Sequence, residues 1–275
     1  MRRKSKERMS KIRGMSTSPY HLVDISPWPI IMSISFLFLA LILCNWLTHK
    51  ITRIEYPVLC TLLISLTLYQ WFRDIVREGQ GGYHTKIVQQ GIFISFLIFL
   101  ATEIMLFFSF FWAFFHSSLA PNVELGCVWP PLGLNAVSTW ALPLFGTTLL
   151  LSSGFILTLG HHALIKGDKS IALFGILSSV ILGALFAFAQ FQEYTYAEFT
   201  IADSIFGSIF YLTTGLHFLH VVAGVVFLAI SGLRLHLDNL TSEHHLGLEF
   251  AIFYWHLVDI VWLAVYIFFY YWGGL

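Results

Sequence analysis

Seven apolar runs recur along the chain, at about 30–47, 57–72, 91–115, 141–160, 171–191, 204–233 and 249–272, each closed off by charges, prolines or glycines. About 20 apolar residues wound into a helix cross the hydrocarbon of a bilayer. Lipid offers the main chain no hydrogen-bond partners, so each run predicts a helix that satisfies its own backbone. The run at 57–72 is short for a crossing and is expected to extend into its flanks. Seven crossings place the two termini on opposite sides of the membrane.

Composition agrees with an all-α polytopic membrane protein. Of the 275 residues, 57% are hydrophobic and 11% charged, against about 25% charged in soluble domains. A formal net charge of zero argues against nucleic acid as a partner. Cys44, Cys60 and Cys127 lie far apart without a CxxC spacing, so neither a disulfide framework nor a thiolate metal site is expected.

Residues 1–29 form a basic N-terminal arm in which Arg2, Arg3, Lys4, Lys6, Arg8, Lys11 and Arg13 crowd the start against one acid, Glu7. No apolar stretch of the secretory-signal kind follows, and the arm is read as lying on an anionic membrane face. Together with the loops that follow the second, fourth and sixth runs, it gathers thirteen of the fifteen Lys and Arg residues on one side. Only Lys50 and Arg53 remain opposite. The positive-inside rule therefore puts the N-terminus and the loop at 73–90 inside. The outer loops carry acids instead: Glu55, Glu124, Glu193, Glu198 and Asp203.

Charge inside the runs is rare, and Glu103 stands out. No other Asp, Glu, Lys or Arg occurs from 91 to 115, and Glu103 lies twelve residues from each end, at the bilayer midplane. A charged carboxylate there costs roughly 2.5–3.5 kcal/mol on insertion scales. Two readings stay open: a functional carboxyl, and a neutral one that links helices by a hydrogen bond. In the seventh run, YWHLVDIVW places His256 and Asp259 three residues apart on one face. Asp259 needs a partner or neutralisation, and His256 or one of the sixth run's His217-x-x-His220 pair is within reach. A haem would need facing histidines at matched depth, which the twelve histidines do not display. Satisfied polar or interfacial histidines are the better reading, with no metal and no catalytic residue assigned to this chain.

The motifs SPWP (26–29), YQWFRD (69–74), TEIMLFFSFFWAFFHSSLAP (102–121), WPP (129–131), HH (161–162), QEYTYAEFTIADSIFGS (192–208), HFLHV (217–221), EHHLGLE (243–249) and YWHLVDIVWL (254–263), closing on YYWGG, occur in one order. That order is similar to the cytochrome c oxidase subunit III family from about residue 20 to 274, with residues 1–14 looking like an extension. The resemblance implies a non-redox core subunit of the proton-translocating oxidase, with haem and copper held by its partners, subunits I and II. It implies seven helices in a two-helix bundle (30–72) and a five-helix bundle (91–275), joined by an inner-side loop (73–90) and separated by a lipid-filled cleft.

Carried onto this sequence, the resemblance makes Glu103 a buried membrane carboxylate, places Arg73, His84 and Arg234 near phospholipid headgroups and adds Trp71 and Phe99 to the lipid-binding set; Asp259 is a second buried carboxylate on the reading of its own run. An Arg fork suits phosphate. Phe72 stands where the family usually has a second Trp, and Tyr83 where it has the first of two histidines. The implied setting is the mitochondrial inner membrane or a bacterial plasma membrane. A quinol oxidase subunit III, and a carrier or proton channel gated by Glu103, remain as other classes, although no inverted repeat supports the channel.

Overall fold

The computed structural model describes residues 19–48, 50 and 53–274. The described residues hold helices α1 (Trp28–Leu47), α2 (Glu55–Gln80), α3 (Lys86–Leu119), α4 (Leu142–Ile165), α5 (Lys169–Tyr196), α6 (Ser204–His236) and α7 (Leu246–Val265), and no β-strand. A more widely wound π-helical stretch, Tyr266–Trp272, continues α7. Among the described residues, seven helices are long and apolar enough to cross a membrane. The basic start of the N-terminal arm falls outside the described residues.

Two helices outrun their apolar cores. α2 holds 26 residues and α3 holds 34, and at 1.5 Å per residue α3 is about 50 Å long, well beyond the roughly 30 Å of hydrocarbon. Polar side chains end a hydropathy run without ending the backbone ladder. Along the last turns of α2, Asp74 accepts from Arg73 Nε at 3.0 Å and Nη2 at 2.9 Å, and Arg77 lies 3.8 Å away at i, i+3. The helix stops at Gly81, followed by Gly82 with φ of +84°, a conformation that suits glycine. The loop expected at 73–90 therefore shortens to 81–85. Arg73 sits on α2 and Arg234 on α6, rather than in loops.

The chain divides into two compact units, Met1–Ile94 and Ser95–Leu275. In the first, α1 and α2 pack together. Trp28 Nε1 at the start of α1 donates to Asp74 Oδ2 near the end of α2 at 2.9 Å, which sets the two helices antiparallel. Thr85 Oγ1 donates to the Pro19 carbonyl at 2.7 Å and ties the arm to the turn after α2.

In the second unit the rest of α3 and α4 to α7 surround a continuous core. Lipid tails are as apolar as leucine, so close packing and interhelical hydrogen bonds must hold such helices together. α4 and α5 touch backbone to backbone, since a Cβ on Gly175 would lie 2.7 Å from the Gly160 Cα. Trp255 of α7 is fully buried, and a Cβ on Gly183 of α5 or on Gly224 of α6 would come within 2.5 or 2.8 Å of its ring. Its Nε1 donates to Ser153 Oγ of α4 at 2.9 Å. About two turns further on, Trp262 Nε1 donates to Thr147 Oγ1 of α4 at 2.9 Å. Between the start of α5 and the residues after α6, Lys169 Nζ lies 2.5 Å from Asp238 Oδ1, and that hydrogen bond holds the Asp238 carboxyl below the usual carboxylate range.

Gly183→Val should lower the thermal midpoint of the assembled protein by a shift matching about 1–3 kcal/mol of overpacking, or block assembly. Gly215→Ala, where beyond its own helix a Cβ would meet only the Tyr194 hydroxyl at 3.9 Å, should leave it nearly unchanged. Equal midpoints for both variants would refute the glycine slot as a packing constraint.

Candidate functional site

Glu103 projects from α3 toward α6, where its Oε2 lies 2.7 Å from His220 Nε2, with side chains 18% and 13% exposed. The other ring nitrogen, Nδ1, lies 2.8 Å from the Leu216 carbonyl. A carbonyl only accepts, so Nδ1 carries a hydrogen. One further proton then serves the Glu103–His220 contact. Whether that proton rests on oxygen or on nitrogen, the pair is net neutral, which suits its depth in the bilayer. Aromatic rings wall the pair. Phe107 meets His220 edge to face at 5.0 Å, and Tyr254 stacks on it at 6.1 Å. Phe99 in turn stacks on Tyr254 at 6.5 Å.

The remaining histidines point elsewhere. His217 is buried and donates Nε2–H to the Val258 carbonyl at 3.2 Å. Thr158 spends its hydroxyl hydrogen on the Gly154 carbonyl, so His256 Nε2, 3.3 Å from Thr158 Oγ1, is the donor in that contact. The pairing expected between Asp259 and one of these histidines is therefore not made. Asp259 is buried beside Gly154, with its Oδ1 lacking a hydrogen-bond partner. Its i, i+3 spacing from His256 gave a shared face, and both side chains lie against Gly154 of α4, but His256 Nε2 turns to Thr158 and no hydrogen bond joins the two.

Glu193 is a second fully buried carboxyl after Asp259, 4% exposed, and not the outer-loop acid expected. α5 continues five residues beyond its apolar run to Tyr196, which turns Glu193 inward. There it accepts from Gln190 Nε2 at 3.0 Å and from the Tyr270 hydroxyl at 2.5 Å. The Gln190-x-x-Glu193 spacing at the end of a run was the available signal.

The lipid candidates fall in both units. In the first, Trp71 and Arg73 lie on α2 and are partly buried, with the Arg73 guanidinium engaged by Asp74. His84 packs over Gly79 and meets His21 edge to face at 5.9 Å. Partial burial, then the nearby His21, lowers the His84 pKa and favours its neutral form. In the second unit, Arg234 is half-buried in the last turn of α6, its Nη1 lies against Gly247, and its Nε has no hydrogen-bond partner.

The model of the family "Cytochrome c oxidase subunit III" matches residues 18–274. The chain belongs to the cytochrome c oxidase subunit III family. It is 45% identical to cytochrome c oxidase subunit 3 of Arabidopsis thaliana, over 93% of this chain and 97% of the relative. Identity to that of Pisaster ochraceus is 46%, over 93% and 98%, and to that of Allomyces macrogynus 43%, over 98% and 99%. Subunit III is a non-redox part of the oxidase, whose catalytic centre lies in other subunits. In a subunit III the Glu103–His220 pair needs no redox partner to be explained.

Glu103→Gln keeps a donor for His220 Nε2 and should leave oxygen reduction and proton pumping largely intact. Glu103→Ala leaves the imidazole unpaired and should destabilise the assembly by about 1–3 kcal/mol. Abolished pumping in a normally assembled Glu103→Gln enzyme would instead make this carboxyl an obligatory relay.

Proposed function

We propose that this multi-pass subunit III sits in the mitochondrial inner membrane against subunits I and II of cytochrome c oxidase, which hold haem and copper. Its work there is to steady the catalytic core and to hold phospholipids. Arg234 carries the lipid reading best. It is a half-buried guanidinium at the end of a spanning helix, and its Nε has no hydrogen-bond partner. Arginine is the side chain whose planar donors fit a phosphate. Arg73, partly satisfied by Asp74, is a second anchor with donors to spare. Trp71, His84 and Phe99 complete the lipid-facing set. The N-terminus faces the matrix, because thirteen of fifteen basic residues gather on that side.

Arg234→Ala removes one charge-assisted contact, typically about 1.5–3 kcal/mol. The expected enzyme starts at a near-normal rate with normal haem spectra, loses activity progressively over many turnovers, and is depleted of lipid by mass analysis. A variant that starts slow and stays constant, or that inactivates with its full lipid complement, contradicts lipid anchoring. For the topology, protease should reach the turn at 81–85 from the matrix side; cleavage from the intermembrane side would reverse the orientation.

A further inference from the structure

Three side chains at the inner end of the second unit converge without serving the contacts described above. His161 lies in the last turns of α4. His245 caps the start of α7, and Glu249 follows it at i, i+4, on the same helix face. A ring nitrogen of each histidine and a carboxylate oxygen of Glu249 all lie within 4.8 Å of one another. His245 Nε2 is 3.3 Å from Glu249 Oε1, and the two imidazoles meet edge to face with centroids 5.5 Å apart.

Their hydrogen bonding is incomplete in a specific way. His161 Nε2 and His245 Nε2 are both buried and neither has a hydrogen-bond partner. Buried polar atoms are nearly always satisfied, so two such nitrogens in one cluster call for an explanation. His245 Nδ1 donates to the Thr241 carbonyl at 3.0 Å. That bond leaves the lone pair on Nε2 and fixes the ring direction, the arrangement that second-shell carbonyls give metal-binding histidines.

We propose that His161, His245 and Glu249 form a binding site for Zn2+. Two imidazoles and one carboxylate are a recognised set of three protein ligands for zinc, with a fourth position left to water. Mg2+ and Ca2+ prefer oxygen ligands and do not fit two imidazoles. Zinc–ligand bonds of about 2.0–2.2 Å set tetrahedral ligand atoms roughly 3.3 Å apart, so binding requires the wider separations, within 4.8 Å, to close by up to about 1.5 Å. Glu249 Oε1 already stands at the 3.3 Å spacing from His245 Nε2, and its side chain, 32% exposed, opens the site to the inner surface. A bound ion staples the end of α4 to the start of α7, across 84 residues of chain, and is redox-silent. This adds one site to a chain whose sequence gave no sign of a metal.

The test counts zinc in the intact oxidase, purified through a tag on this chain, stripped with a chelator, reloaded with ZnCl2 and washed. Wild type should retain one more zinc per complex than His245→Gln, and the difference in zinc X-ray absorption should show nitrogen and oxygen ligands without sulfur. Glu249→Gln keeps the side chain's volume and should weaken zinc retention tenfold or more, so it decides the matter if His245→Gln fails to assemble. MgCl2 in excess should not displace the ion. Equal zinc retention by wild type and the variants that assemble would overturn the site, as would a sulfur-containing ligand shell in the difference spectrum.

Discussion

Lipid cannot hydrate a polar group, so polar side chains in the spanning helices turn to partners within the protein, and Trp255 is where that constraint binds most elements together. Its ring fills a slot that only glycine permits at 183 and 224, and its N–H finds Ser153. One side chain from α7 thus touches α4, α5 and α6. The same logic recurs at Trp262 with Thr147, at Tyr194 with Thr214 and at Glu193 with Tyr270. Each link joins residues on different helices, so the second unit is held by a set of short polar bonds embedded in aromatic packing.

Glu103 belongs to this set. Its partner on α6 lets a carboxyl lie deep in the bilayer with no net charge on the pair, and the Phe107 and Tyr254 rings pack against the histidine. A carboxyl satisfied in this way is a link between helices first. That is the chemistry expected of a subunit whose oxidase keeps its redox groups elsewhere: rigid cross-bracing inside, and a large apolar surface outside, including Phe155, Phe174 and Phe188, for lipid and neighbouring subunits to cover.

Sequence periodicity and hydropathy disclosed the seven crossings, and isolation in an apolar run disclosed Glu103, because both are local properties. Helix ends were less legible. The polar last turns of α2 look like loop to a hydropathy reading, yet their backbone bonds continue until Gly81 and Gly82. Glu193 was misplaced for the same reason, being polar at the edge of a run. Partners were not legible at all where they lie far apart in the chain. His220 meets Glu103 across 117 residues, Asp259 passes over the histidines within its reach, and His161 joins His245 only once α4 and α7 are folded side by side.

The account rests on one claim, that this chain braces the oxidase and carries no electrons. The most direct measurement is the visible absorption spectrum and copper content of the chain after gentle separation from the complex. The account predicts a spectrum without haem bands and copper at background, with both recovered in the remaining subunits. Stoichiometric haem or copper travelling with this chain would contradict it.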